Sequence, residues 1–99
     1  MDRIRVGQLL DNYLQVLNSA RIRYVFSGES LLAGKCDEHR ETAEYLLVRW
    51  QGGWAEDNMK DALRMELGLL WASGFVGREA EEIGAAFGEV CRRMSIATQ

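Results

Sequence analysis

Proline is absent from this chain, histidine occurs once and cysteine only twice. With no proline to fix φ or delete a backbone donor, the punctuation falls to ten glycines. Two cysteines, Cys36 and Cys91, are too few for a disulfide scaffold and fit a reducing cytoplasm, which is the expected location. No apolar run approaches the ~18 residues that a membrane span needs, so no membrane partner is expected. The first residues do not resemble a charged-then-apolar leader, because Arg3 and Arg5 sit inside an amphipathic pattern. Surplus positive charge is also missing: the net charge is −3 and the pI about 5.1, which argues against broad phosphate binding.

What is there suffices for a core. The 99 residues are 47% hydrophobic and 27% charged, in the range of a single folded domain covering 1–99. The charge is unevenly spread. Residues 1–23 carry Arg3, Arg5, Arg21 and Arg23 against Asp2 and Asp11, and the rest of the chain is acidic. A basic first helix on an acidic body predicts pairing within the chain or between subunits.

The periodicity is that of an all-α, four-helix domain, with helices at about 3–20, 38–51, 54–73 and 78–95. In the first, Val6, Leu9, Leu10, Tyr13, Leu14, Val16 and Leu17 fall on one stripe. Residues 21–26 alternate like a strand but have no second strand to pair with, so they read as a continuation of the helix or an extended connector. Ser30–Gly34 reads as a short helical turn ended by glycine, and Asp37 as the cap of the second helix. His39, Ala43, Leu46, Leu47 and Trp50 share that helix's apolar face. The fourth helix places acids in its first turn and Arg92 and Arg93 in its last, as the helix dipole favours.

The third helix is unusual. Its apolar residues cover about 250° of arc, whereas a surface helix needs a stripe of only ~100°. Glu66 falls in the middle of that arc, which predicts a buried ion pair with an arginine such as Arg5 or Arg23. Burial on two sides in so small a domain calls for a second subunit, so a homodimer through this helix is expected.

Chemistry is thinly represented. Cys36 and His39 form a C-x-x-H pair, and Cys91 could be a third zinc ligand or the pair a thiol dyad, so one alternative reading is a small metal- or thiol-dependent enzyme centred on Cys36 and His39, but no fourth ligand follows. Glu38 points about 100° away from His39, so no acid is expected behind the ring. No metal, cofactor-binding or catalytic residue is therefore assigned, and the chain reads as non-enzymatic. Residues 78–93 resemble the helix-turn-helix of sigma-factor and response-regulator families, with acid-x-Ala, a turn glycine at Gly84, then Val90 and arginines. That resemblance implies nucleic-acid binding through 76–94. Glu81 stands at the small-residue position, Val90 falls one residue early, and three arginines against four glutamates leave local charge at −1.

What remains is apolar surface. Trp50, Trp54, Met65, Leu67, Leu70, Trp71 and Phe75 are the expected protein interface, since aromatics anchor such contacts. The favoured reading is a small regulator or adaptor of antiactivator, antitoxin-like or chaperone type. It would sequester another protein through an apolar helical surface, with itself as a second partner and nucleic acid disfavoured.

Overall fold

In the computed structural model, which describes residues 1–98, the chain forms four helices: α1 (Arg3–Phe26), α2 (Ser30–Gln51), α3 (Glu56–Ala72) and α4 (Gly77–Arg93). No strand occurs among the described residues. Asp2 starts α1 by accepting a hydrogen bond from the Arg5 amide at 3.1 Å. The helix then buries Val6, Leu10, Tyr13, Leu17, Ala20 and Tyr24. These residues alternate steps of four and three, which keeps one seam facing a partner helix.

The corresponding seam of α2 is Leu32, Cys36, His39, Ala43, Leu46 and Trp50, with the same alternation. The two seams face each other in an antiparallel hairpin that forms the main packing contact of the molecule. Two boundary expectations are corrected here. α1 continues through 21–26, burying Tyr24, so the extended-connector alternative fails. α2 begins at Ser30 rather than near 38, and the supposed turn at Ser30–Gly34 is its first stretch. Gly34 keeps ordinary helical backbone, and Asp37 does not cap. Instead its carboxylate meets the Arg21 guanidinium at 2.7 Å.

The actual stop is Gly28. It adopts φ +79°, its amide donates to Val25 O at 3.1 Å, and the Glu29 amide donates to Tyr24 O at 2.8 Å. This is a Schellman ending, which places one residue in the left-handed region that side chains disfavour. Gly53, at φ +93°, ends α2 in the same way.

α4 packs on α1, and α3 packs on α2; α3 and α4 are not a principal packing pair. At the centre the Tyr13 and Phe87 rings lie 4.9 Å apart, among Leu10, Leu17, Leu46, Met59, Leu63 and Ile83. The basic end of α1 is matched within the chain. Arg23 meets Glu79 at 3.2 Å and Glu82 at 3.0 Å on α4. Such half-exposed pairs contribute about 0–1 kcal/mol each, so they set register more than stability. At the other end, Arg3 donates to Trp50 O and Trp54 O at 2.9 Å each, and its guanidinium lies 3.6 Å over the Trp50 ring.

Two apolar residues of α1 should respond oppositely to truncation. Leu17 is fully enclosed, and Leu17→Ala should cost about 2–5 kcal/mol in urea unfolding through the lost contacts and the cavity left behind. Phe26 is 86% exposed, so Phe26→Ala should stay within about 0.5 kcal/mol despite removing the larger side chain.

Candidate functional site

Two places combine chemistry or shape beyond packing, and α3 contributes to both. Glu66 and Ser73 are seven residues apart, two turns of helix, so they lie on one face of α3. His39 reaches that face from α2. Its Nδ1 lies 2.9 Å from Glu66 Oε2, and its Nε2 lies 2.5 Å from Ser73 Oγ. The Tyr13 hydroxyl of α1 donates to the same Oε2 at 2.7 Å. Glu66 is 1% exposed and its Oε1 has no hydrogen-bond partner among the described residues.

Burial, reinforced by the adjacent Glu66 carboxylate, holds the Tyr13 phenol protonated far above its ordinary range. Tyr13 is therefore a permanent donor to that carboxylate. Ser73 has one proton and two acceptors in reach, His39 Nε2 and Leu69 O at 2.8 Å. The loop after it is pinned from α1. Tyr24 donates to Val76 O at 2.8 Å and stacks on Phe75 at 6.0 Å, and Phe75 in turn packs 5.7 Å from the His39 ring. A cavity of about 170 Å³ lies beside this cluster, lined among others by His39, Glu66, Leu69 and Ser73, with Lys35 and Glu38 forming an ion pair at its edge, 3.6 Å apart.

This geometry corrects two expectations. Glu66 is buried as its position implied, but its partners are His39 and Tyr13, not Arg5 or Arg23. Arg5 is exposed and donates to Gln8, while Arg23 turns to α4. There is an acid behind the histidine ring, supplied by α3 rather than by α2. Both ring nitrogens are thereby engaged, which leaves neither to face Cys36, so the C-x-x-H pair does not act as a unit. No cluster of three or more potential metal ligands occurs among the described residues. Cys36 and Cys91 are free, fully buried thiols. Burial pushes each up to about 11, with the Asp37 carboxylate adding to the rise at Cys36.

The second place is a groove of about 460 Å³ between α3 and α4. Leu67, Leu70, Trp71 and Phe75 line one wall and Ile83, Gly84, Phe87 and Gly88 the other. It contains four of the seven predicted interface residues. Trp71 is 72% exposed at this groove. Met65 is equally open, but it lies with Leu69 on the other edge of α3. α3 itself buries only Met59, Leu63 and Glu66, so both flanks of its wide apolar arc face outward. Trp50 does not belong to this surface. It is 2% exposed, with Nε1 donating to Arg3 O at 2.8 Å, because it continues the core seam of α2. Trp54 is partly buried against the core and meets Tyr45 edge-on at 6.1 Å.

The helix-turn-helix resemblance does not extend to the backbone. α4 runs unbroken from Gly77 to Arg93 through Gly84, where the motif requires a turn. Comparison of the chain with protein families, with curated proteins and with solved structures finds no match.

Removing the Glu66 carboxylate should strand a buried phenol and imidazole. Glu66→Ala is expected to cost about 3–5 kcal/mol in urea unfolding, and a double-mutant cycle with Tyr13→Phe should show coupling of about 0.5–3 kcal/mol. An uncoupled pair would mean that the Tyr13 contact carries no energy.

The raised thiols predict alkaline instability. An unfolded cysteine ionises near 9.0 but the folded one near 11, so stability present below pH 9 is lost as pH rises through about 11. Melting temperature should fall over that window, and Cys36→Ala/Cys91→Ala should flatten the fall. In the native protein both thiols should resist alkylation at neutral pH.

Proposed function

We propose that this chain is a small cytoplasmic regulator or adaptor that holds an amphipathic helix of another protein in the groove between α3 and α4. One observation carries the reading. The groove is walled by apolar and small residues with no charged side chain among them, and the two helices flanking it do not close on each other. Docking a helix into such a groove recruits a few anchors at i, i+3/4 and i+7. Gly84 and Gly88 have open space where a Cβ would sit, so a second backbone can approach the α4 wall closely.

Trp71 supplies an exposed aromatic anchor beside partly buried Leu67, Leu70 and Phe75. Free, buried thiols are compatible with a reducing compartment.

A photo-crosslinking residue in place of Trp71, used in cells, tests the reading. It should join the chain to a helical segment of one protein, identified by mass spectrometry. Leu67→Arg should weaken that complex by about 100-fold or more, since a charge forced into a desolvated contact costs several kcal/mol. Val48→Arg, at an exposed position of α2, should leave it intact. If the crosslink joins two copies of this chain and light scattering gives twice 11.2 kDa, a second copy occupies the groove and the adaptor reading falls.

A further inference from the structure

On the α2 side of α3, away from the groove, the structure brings a hydroxyl, an imidazole and a carboxylate into line. We propose that Ser73, His39 and Glu66 form an acyl-transfer site that hydrolyses small esters. The inference goes beyond the binding reading and does not rest on it, because the cavity at Ser73 and the α3–α4 groove share no lining residue.

Two observations carry it. The first is the relay. Glu66 Oε2, at 2.9 Å, is placed to accept a hydrogen bond from His39 Nδ1–H, and in that tautomer the Nε2 lone pair faces Ser73 Oγ at 2.5 Å. Tyr13 braces the same oxygen, and no arginine or lysine pairs with Glu66 among the described residues. The second is access. Ser73 is half-buried at the C-cap of α3 and lines the cavity of about 170 Å³, room for a short acyl group.

The chemistry balances without a co-reactant other than water. Ser73 Oγ adds to the ester carbonyl carbon while its hydroxyl proton turns from its hydrogen bond to Leu69 O and passes to His39 Nε2. The tetrahedral adduct collapses by breaking the bond to the alkoxy oxygen, which leaves as the alcohol with the proton from Nε2. Water then adds to the acyl-serine, giving its proton to Nε2, and the carboxylic acid departs as that proton returns to Ser73.

A fluorophosphonate probe and p-nitrophenyl acetate test the proposal on the full chain. The native protein should acquire one phosphonyl adduct, located on Ser73 by peptide mass spectrometry, and urea should abolish it. Ser73→Ala, at a half-exposed position, should fold normally by circular dichroism yet lose both the adduct and turnover of the ester. His39→Gln should slow labelling by about 100-fold or more. The location of the adduct is read on the unaltered chain, so it decides the matter even if His39→Gln fails to fold. No adduct under conditions that label a serine hydrolase in the same tube, or an adduct on another residue, would overturn the proposal. So would ester turnover that survives Ser73→Ala.

Discussion

A carboxylate with 1% of its surface exposed, in a domain of four helices, is the constraint on which the rest of this molecule turns. Taking an ionised group out of water costs several kcal/mol unless it is paired and hydrogen-bonded. Glu66 meets that requirement at one oxygen, Oε2, with a donor from α1 and a ring nitrogen from α2, while its own backbone belongs to α3. One side chain therefore sets the mutual position of three helices. Slippage of α3 by one residue would turn Glu66 by about 100° and break both contacts at once.

Holding α3 by its Glu66 face has a geometric consequence. The apolar arc of the helix is much wider than the strip that reaches the core, so Leu67 and Trp71 are left on one flank and Met65 and Leu69 on the other. α4 could have covered the first flank, but it packs on α1. Its side towards α3 sets Ala80, Gly84 and Gly88 beside Ile83 and Phe87, which are themselves sunk in the core, so little side chain is left to fill the gap. The groove follows from those two choices. On the other flank the same placement sets Ser73 against the imidazole that Glu66 orients.

The ends of the hairpin are closed by different means. Gly28 and Gly53 turn the chain with left-handed backbone that an L side chain would strain. The α3–α4 loop also turns at left-handed glycines, Gly74 and Gly77 at φ +75°, but it borrows Tyr24 from α1 as well, whose hydroxyl and ring hold Val76 and Phe75. The position of Ser73 thus depends on the last turn of α1, the segment whose alternating pattern looked least helical.

The sequence by itself determined the helical class, the number of helices, the buried stripes of α1 and α4, the surplus apolar arc of α3 and the burial of Glu66. All of these follow from spacing within one helix, where a 3.6-residue period decides which side chains share a face. The early start of α2 was legible too, since the stripe through His39 and Ala43 extends back to Leu32, but Gly34 and Asp37 suggested a local stop and cap that the continuous core contact overrides. Only the tertiary structure decided what each face meets. Tyr13 and Glu66 are separated by 53 residues and His39 and Ser73 by 34, so no local pattern joins them. Trp50 shows both sides: its spacing put it on the apolar face of the second helix, as found, while its type suggested an interface anchor, which the seam of α2 and the carbonyl of Arg3 overrule. Periodicity states that a face is buried, and the choice of partner belongs to the packing of elements distant in the chain.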